Sequence, residues 1–234
     1  MVLGLQAVNW LNSKYQRPLL TDEDVWAGFE SPDKGLVELL QNQNYSSDLK
    51  AILERVSISK VGVVSFNVFG TLLLRPYAKP RDLLIHLGQI HNLPDFGEKR
   101  IDAEKRARAK VKHGEVTLEE IYRELEAPYS SLMDEELKLE RQTLQVNPEM
   151  LIAFNYAKSL NKTIVLMADS YLSSKFIEGV LKDKGITGFR KIFTTSEYRM
   201  QKEDGSLFVA ALRELKMTGN GSLFVDLTRY DAKP

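Results

Sequence analysis

The stretch VVSFNVFGTLLLRP, residues 63–76, decides how the rest of the chain is interpreted. It begins with apolar and β-branched residues, which favour a buried strand, and Gly70 and Thr71 then interrupt the run. In α/β proteins, reactive groups commonly lie just beyond the carboxyl ends of parallel strands. The residue at that place is Asn67, an amide where a carboxylate would indicate catalysis. The stretch therefore predicts a strand over residues 61–68 and leaves open whether the site at its end is catalytic.

The composition is that of a globular protein with a core of its own, since 43% of the 234 residues are hydrophobic and 27% are charged. Thirty-two basic residues balance 32 acidic ones, so no overall charge attracts nucleic acid or an anionic membrane. The absence of cysteine excludes disulfides, thiolate nucleophiles and Cys-based zinc sites. No apolar run approaches the roughly 20 residues that span a bilayer, and the amino end lacks the pattern of a secretory signal. We expect a cytoplasmic protein without a nucleic-acid or membrane partner.

Three further strand candidates follow, at residues 163–167, 191–195 and 222–226, with helical patterns between them. Strands that alternate with helices predict an α/β fold with a Rossmann-like parallel sheet. The helical pattern from residue 80 to residue 160 is far too long for an ordinary connection and predicts an inserted helical cap. The predicted units are an amino-terminal helical extension (1–58), an α/β core (59–79 with 161–234) and the cap (80–160).

Local signals place several helix ends. Thr117 and Glu120 have the spacing of a capping box, and Asn147 followed by proline opens a helix that we expect to run to about residue 160. Residues 98–112 mix both signs of charge at helical spacing and predict a solvated helix. Its predicted inner stripe is Ile101, Ala107 and Val111.

Polar residues recur where the predicted strands end. Because the carboxyl ends of parallel strands meet at one edge of a sheet, these residues should face a common cleft. A lysine, two acids and a threonine at such an edge predict a pocket for a phosphate and a divalent cation. The residues concerned are Asn67, Thr71, Ala168, Asp169, Lys202, Asp226 and Asp231.

In their order and spacing these places resemble the four motifs of the haloacid dehalogenase superfamily, which consists mostly of phosphatases. Its first motif is Asp-x-Asp-x-Thr after an apolar strand, its second ends a strand in Ser or Thr, its third is a lysine, and its fourth contains two aspartates. The helical insertion is similar to the C1-type cap of that family. The matching positions here are Asn67 to Thr71, Ala168, Lys202, and Asp226 with Asp231.

The resemblance implies a role for each position. Asn67 stands at the nucleophile position, Phe69 at the acid/base position, and Lys202 at the catalytic lysine. A small phosphorylated molecule would be the ligand, bound by Thr71, Ala168, Asp169 and Lys202. Magnesium is the implied cofactor, with Asn67, the carbonyl of Phe69, Asp226 and Asp231 as its ligands.

The departures from the family pattern bear on activity. The amide of Asn67 is a poor nucleophile, Phe69 cannot transfer a proton, and Ala168 lacks a hydroxyl group for the phosphoryl oxygens. Dehalogenases of the family also carry an aromatic residue at the position of Phe69, so the change at Asn67 matters most for activity. We expect a hydrolase-type, phosphatase-like fold with impaired catalysis, a pseudoenzyme.

Other interpretations stay open. The chain fits a non-catalytic module that binds a phosphate ester or another ligand, or a module that binds a protein through its amino-terminal helices. It also fits an active phosphatase trapped by an Asp-to-Asn substitution at position 67. Finally, Asn67 fits a residue that only caps a turn, and Asp169 and Ser170 fit a cap for the following helix.

Overall fold

The computed structural model describes residues 40–111, 114–216 and 222–226. Within these ranges, four strands form one parallel sheet in the order β5–β4–β1–β6, and a two-residue antiparallel pair, β2 with β3, lies apart from it. The predicted α/β class with a parallel sheet is therefore confirmed. The strands are β1 (Val63–Asn67), β2 (Leu73–Leu74), β3 (Gln145–Val146), β4 (Thr163–Ala168), β5 (Lys191–Thr194) and β6 (Ser222–Val225).

Helices occupy most of the remaining described chain. They are α1 (Ser47–Ser57), α2 (Asp82–Ile90), α3 (Phe96–Lys110), α4 (Leu118–Tyr122), α5 (Met133–Thr143), α6 (Pro148–Ser159), α7 (Ser174–Asp183), α8 (Thr195–Tyr198) and α9 (Ser206–Glu214), with a 3-10 helix at Tyr129–Leu132.

The central position of β1 explains its composition. All five of its residues are buried, because β4 and β6 flank it and apolar layers cover both faces of the sheet. Val64 and Phe66 face the larger layer and Val63 faces the smaller one, as the two-residue period of a strand requires. The register pairs Asn67 with Met167 and places the end of β1 beside the ends of β4 and β6.

The predicted helix starts are found where the capping signals lie. Thr117 and Glu120 form the complete capping box of α4, and the side chain of Asn147 accepts two backbone hydrogen bonds at the start of α6. Ser173 is the cap of α7. The interpretation of Asp169 and Ser170 as that cap is therefore wrong.

Helices α2 to α5 lie between β2 and β3 in the chain and form the helical insertion. Its two ends are joined by the pairing of Leu73 with Val146 and of Leu74 with Gln145, a pair of short strands that the sequence did not indicate. Most of the predicted amino-terminal extension (residues 1–39) and Asp231 lie outside the described residues. The limits of the three units stay a prediction. None of the described helices is long and apolar enough to cross a membrane.

Candidate functional site

Asn67 links the ends of two neighbouring strands. It is the last residue of β1, its side chain is buried, and its Nδ2 atom donates hydrogen bonds to the carbonyl oxygen of Phe69 (2.9 Å) and to Oδ1 of Asp226 (3.2 Å). Asp226 directly follows β6, which runs parallel to β1 with Phe66 opposite Val225. The parallel register therefore brings together two residues that are far apart in the sequence.

Lys202 completes this network from a third place in the chain. It lies in the loop between α8 and α9, and its Nζ atom donates to Oδ2 of Asp226 at 2.6 Å. The lysine and aspartate side chains are only 10% and 4% exposed, so this ion pair is largely shielded from water. The lysine ammonium also lies 5.1 Å from the centre of the Phe224 ring. Both carboxylate oxygens of Asp226 thus accept hydrogen bonds from side chains.

The ends of β4 and β5 carry a second group of polar contacts. Ala168 ends β4 as a buried residue without a side-chain polar group. Oγ1 of Thr195 donates to Oδ1 of Asp169 and accepts from the backbone amide of Ser170, each at 3.0 Å. Asp169 is therefore held by Thr195, the last residue of the strand predicted over residues 191–195 and one without a predicted role in the site.

The turn that follows β1 positions Thr71 and Phe69. Gly70 has a φ of +74°, a conformation that favours glycine, and its amide donates to the carbonyl of Leu73. Thr71 is fully buried in this turn. The structure thus brings Asn67, the carbonyl of Phe69, Lys202 and Asp226 into one network and places Thr71, Ala168 and Asp169 on adjacent strand ends.

The helical insertion contacts these same strand ends. The amide of Leu118, at the start of α4, donates to the carbonyl of Tyr171 in the loop after β4, at 3.1 Å. The guanidinium of Arg100 lies 4.9 Å from the centre of the Tyr171 ring. Burial and the nearby Glu136 carboxylate raise the pKa of the Tyr171 phenol, so this side chain stays neutral at ordinary pH.

A buried ion pair inside the insertion was not predicted. Nε and Nη2 of Arg100 donate to the two carboxylate oxygens of Glu136, each at 2.9 Å, and the hydroxyl of Tyr122 donates to the same carboxylate at 2.7 Å. Burial alone would lower the pKa of Arg100, but Glu136, Tyr171 and Glu104 together outweigh that effect and raise it. The solvated helix predicted over residues 98–112 therefore has an arginine on its buried side.

The polar groups of the cleft, as arranged, do not fit a divalent cation. Magnesium requires oxygen ligands, whereas the Asn67 side chain presents its NH2 group to the Phe69 carbonyl and to Asp226. The second oxygen of Asp226 is bound to the Lys202 ammonium. Across the part of the chain that the structure describes, no cluster of three or more His, Asp or Glu side chains suits a metal.

A pocket of about 140 Å³ lies between α1 and β6 and opens beside Asp226. Asp48 and Arg55 of α1 line one wall, and Phe224 lines the other. This volume is well below the roughly 300–1,000 Å³ of a typical small-molecule site. It has room for a few water molecules, a small ion or a ligand about as large as benzene.

Comparisons with known proteins find similarity in structure alone. No protein-family model and no curated protein matches the chain. Over 71% of its length the chain is similar to 76% of a dehalogenase crystallised as an intermediate complex, with 12% identity and a TM-score of 0.49. Over 70% of its length it is similar to 69% of L-2-haloacid dehalogenase from Xanthobacter autotrophicus, in one structure with chloropropionic acid covalently bound, with 14% identity and a TM-score of 0.48. The chain is thus similar in fold to these dehalogenases, at low sequence identity.

Proposed function

We propose that this chain is a non-catalytic protein on a haloacid-dehalogenase-like hydrolase fold, in which the former reaction centre has become a polar cross-link between strands. The observation that carries the proposal is the pair of hydrogen bonds from Asn67 Nδ2 to the Phe69 carbonyl and to Asp226. These bonds direct the hydrogens of a neutral amide to the place where a phosphatase of this fold would need a nucleophile and a cation.

The neighbouring residues support the same conclusion. A nucleophile needs a lone pair aimed at the substrate and a group that moves a proton to or from the reacting atoms. The amide oxygen of Asn67 is uncharged and a poor nucleophile, Phe69 has no group that moves a proton, and Ala168 has no hydroxyl to bind a transferring group. Lys202, the cation that the described residues bring to the network, is neutralised by Asp226 at 2.6 Å.

The second candidate is a pocket for a small phosphorylated molecule, in a phosphatase whose nucleophile position has been changed. The retained Lys202 and Asp226 favour it, because they lie next to Asn67 in the arrangement that a phosphate and a magnesium ion would use. Magnesium would then need the Asn67 amide to turn over and present its oxygen.

The test compares the wild-type chain with Asn67→Asp and, as a matched control without a carboxylate, Asn67→Ala. Hydrolysis of para-nitrophenyl phosphate is measured with magnesium and with EDTA. We expect no turnover from any of the three proteins, because Phe69 and Ala168 also depart from the catalytic pattern. Magnesium-dependent turnover by Asn67→Asp alone would establish the trapped phosphatase, and turnover by the wild type would contradict the proposal outright.

Binding is measured separately from turnover. We expect that neither magnesium nor phenyl phosphate raises the melting temperature of the wild-type chain, because the polar groups of the cleft already bind one another. A rise with phenyl phosphate that Lys202→Met abolishes would instead support the ligand-binding pocket.

A further inference from the structure

The edge of the sheet opposite the cleft carries a concentration of basic residues. Because the four strands are parallel, the loops that precede them and the ends of the helices that lead into them meet at this edge. These segments contain nine basic and three acidic residues, although the whole chain is neutral. The segments are residues 54–62, 158–163, 183–191 and 213–216.

Hydrogen bonds show that these segments are neighbours. Nζ of Lys162 donates to the carbonyl oxygens of Ile58 and Val61, at 3.0 and 2.6 Å, in the loop before β1. The amide of Arg190, directly before β5, donates to the carbonyl of Ile164 in β4 at 2.7 Å. Since neighbouring strands lie about 4.8 Å apart, the loops before β1, β4 and β5 lie side by side within about 10 Å.

Four residues of these loops form what we call the basic edge. Lys60 and Arg190 are exposed, and Lys162 and Lys184 are half buried. Lys162 binds carbonyl oxygens, which carry no net charge. Within the part of the chain that the structure describes, no carboxylate forms an ion pair with any of the four.

The acidic residues of the same segments do not neutralise the basic edge. Asp183 is bound by Arg141 of the insertion at 2.5 Å, and Glu214 is bound by the ammonium of Lys191. The third acid, Glu54, is exposed on α1 and forms no ion pair with a described residue. The described residues therefore leave the positive charge of the basic edge uncompensated.

Helix dipoles explain only part of this charge pattern. Arg55, Lys158 and Arg213 lie in the last turns of α1, α6 and α9, where the negative end of a helix favours a cation. Lys60 and Arg190 lie in loops, and the effect of the dipole falls off within the last turn. The dipoles therefore leave the charges of these two residues unexplained.

The surroundings of the basic edge favour a polypeptide over other polyanions. Ile58, two residues before Lys60, is 50% exposed, so an apolar side chain lies among the charges. Proteins that bind single-stranded nucleic acid commonly offer exposed aromatic rings on which bases stack. The aromatic residue of these segments, Phe189, is half buried.

We propose that the basic edge is a docking surface for an acidic segment of a partner protein, with an apolar side chain among its carboxylates. The carboxylates pair with Lys60, Lys184 and Arg190, and the apolar side chain contacts Ile58. This surface lies at the opposite end of β1 from Asn67. The proposal therefore goes beyond the proposed function and holds whether or not the cleft is catalytic.

Fluorescence anisotropy with a labelled peptide, EEEELEEEE, and the full chain tests the surface. We expect the wild type to bind the peptide at low salt. Lys60→Gln combined with Arg190→Gln should weaken binding about tenfold, because each exposed ion pair contributes up to about fivefold. Half-molar sodium chloride should weaken binding by the wild type to a similar extent. Absence of binding by the wild type at low salt would overturn the proposal.

The matched control is Lys79→Gln combined with Arg81→Gln. Both side chains are exposed, lie where the insertion begins and form no ion pair with a described residue. This variant changes the net charge by the same amount as the first, and it should bind the peptide as the wild type does. Equal weakening in both double variants would assign binding to overall charge and reject the basic edge.

A second peptide, EEEEQEEEE, tests the apolar contact. The wild type should bind it less tightly than the leucine peptide, whereas Ile58→Ser should bind the two alike. Equal affinity of the wild type for both peptides would contradict the contact with Ile58. Tighter binding of phosphatidylserine vesicles or of oligo-dT than of the leucine peptide would overturn the assignment to a protein partner.

The acidic stretch at Asp22, Glu23 and Asp24 of this chain is a competing occupant. The triple variant Asp22→Asn, Glu23→Gln and Asp24→Asn should bind the leucine peptide with unchanged affinity. Tighter binding by this variant would show that the chain covers its own basic edge, and the proposal of a partner protein would then be wrong.

Discussion

Asn67 at the end of β1 donates its side-chain amide to Asp226, 159 residues further along the chain, over 3.2 Å. The same NH2 group also reaches the carbonyl of Phe69. If the amide turned over, its oxygen would face two other acceptors, an arrangement that is unfavourable without a cation. The neutral amide therefore fits the cleft because its hydrogens meet a need that a metal ion would otherwise meet.

Asn67→Asp should destabilise the protein in EDTA by about 3 kcal/mol, because a carboxylate would lose both donated bonds and would face the charge of Asp226. Millimolar magnesium should recover much of that loss by bridging the two carboxylates. Urea unfolding with and without magnesium measures both effects.

Asn67→Ala is the control for this experiment, since it removes the amide without adding a charge. It should also be less stable than the wild type, but magnesium should leave its stability unchanged. A similar magnesium response in both variants would show that the ion acts elsewhere in the protein.

Lys202→Met should lower the free energy of unfolding by about 3 kcal/mol or more, because it leaves the shielded carboxylate of Asp226 without its ammonium partner. The double variant Lys202→Met with Asp226→Leu should be more stable than the single one, since it removes the shielded carboxylate together with its ammonium partner. Chemical unfolding of the set in a double-mutant cycle measures the coupling. A loss below about 1 kcal/mol in the single variant would place the pair among ordinary surface ion pairs.

The sequence predicted the sheet well because its strands carry their own signals. The strand predicted over residues 61–68 is observed at Val63–Asn67, and the one predicted over residues 191–195 at Lys191–Thr194. Their residues are apolar because both faces of these strands are buried. Such an apolar run can be recognised in a short stretch of sequence. The direction in which the Asn67 amide points depends on a residue in a distant strand, and no local pattern contains that information.

Helix α3 also shows that a local pattern does not predict contacts with residues far away in the chain. Ala107 belongs to its buried side as predicted, but Ile101 and Val111 are only half buried. The buried side also contains Phe96, Arg100 and Ala103. An arginine on that side is stable because Glu136 lies opposite it, 36 residues later in the chain, and Glu104 one turn further along the same helix also accepts from it. A charged residue in a mixed-charge helix gives no sign of such a partner.

Arg100→Met should therefore be strongly destabilising, by about 3–5 kcal/mol, because Glu136 would remain as a buried charge that retains only the Tyr122 hydroxyl among its side-chain donors. Arg100→Met combined with Glu136→Gln should recover part of the loss. Thermal and urea unfolding measure both variants. Equal stability of the single and double variants would contradict the assignment of the loss to a stranded carboxylate.

The ion pair between Glu120 and Arg199 predicts that the stability of the protein depends on pH in one direction, with a loss in acid. The hydrogen bonds from Arg199 lower the pKa of this carboxyl below its ordinary value of 4.5, and the charges of Arg199 and Arg123 act in the same direction as the capping amide of Thr117. The ionised form is thus favoured by folding, so its contribution is complete above pH 4.5 and disappears as pH falls through the lowered pKa. Unfolding of the wild type and of Glu120→Gln should differ near neutral pH and converge in acid. A constant difference between pH 3 and pH 7 would exclude this ionisation as its cause.

Among the described strands β6 comes last in the chain, yet it lies beside β1 in the sheet. During synthesis on the ribosome, β1 therefore gains this neighbour late. At roughly 5–20 residues per second, Asp226 is made about 10 to 30 seconds after Asn67, and until then β4 is the one neighbour among the described strands with which β1 can pair. During that interval the amide of Asn67 still has the Phe69 carbonyl as an acceptor, and the hydrogen that Asp226 would accept binds water instead. Nascent chains arrested before residue 222 should therefore be recognised by chaperones that bind unpaired strand edges, and extension through β6 should release them.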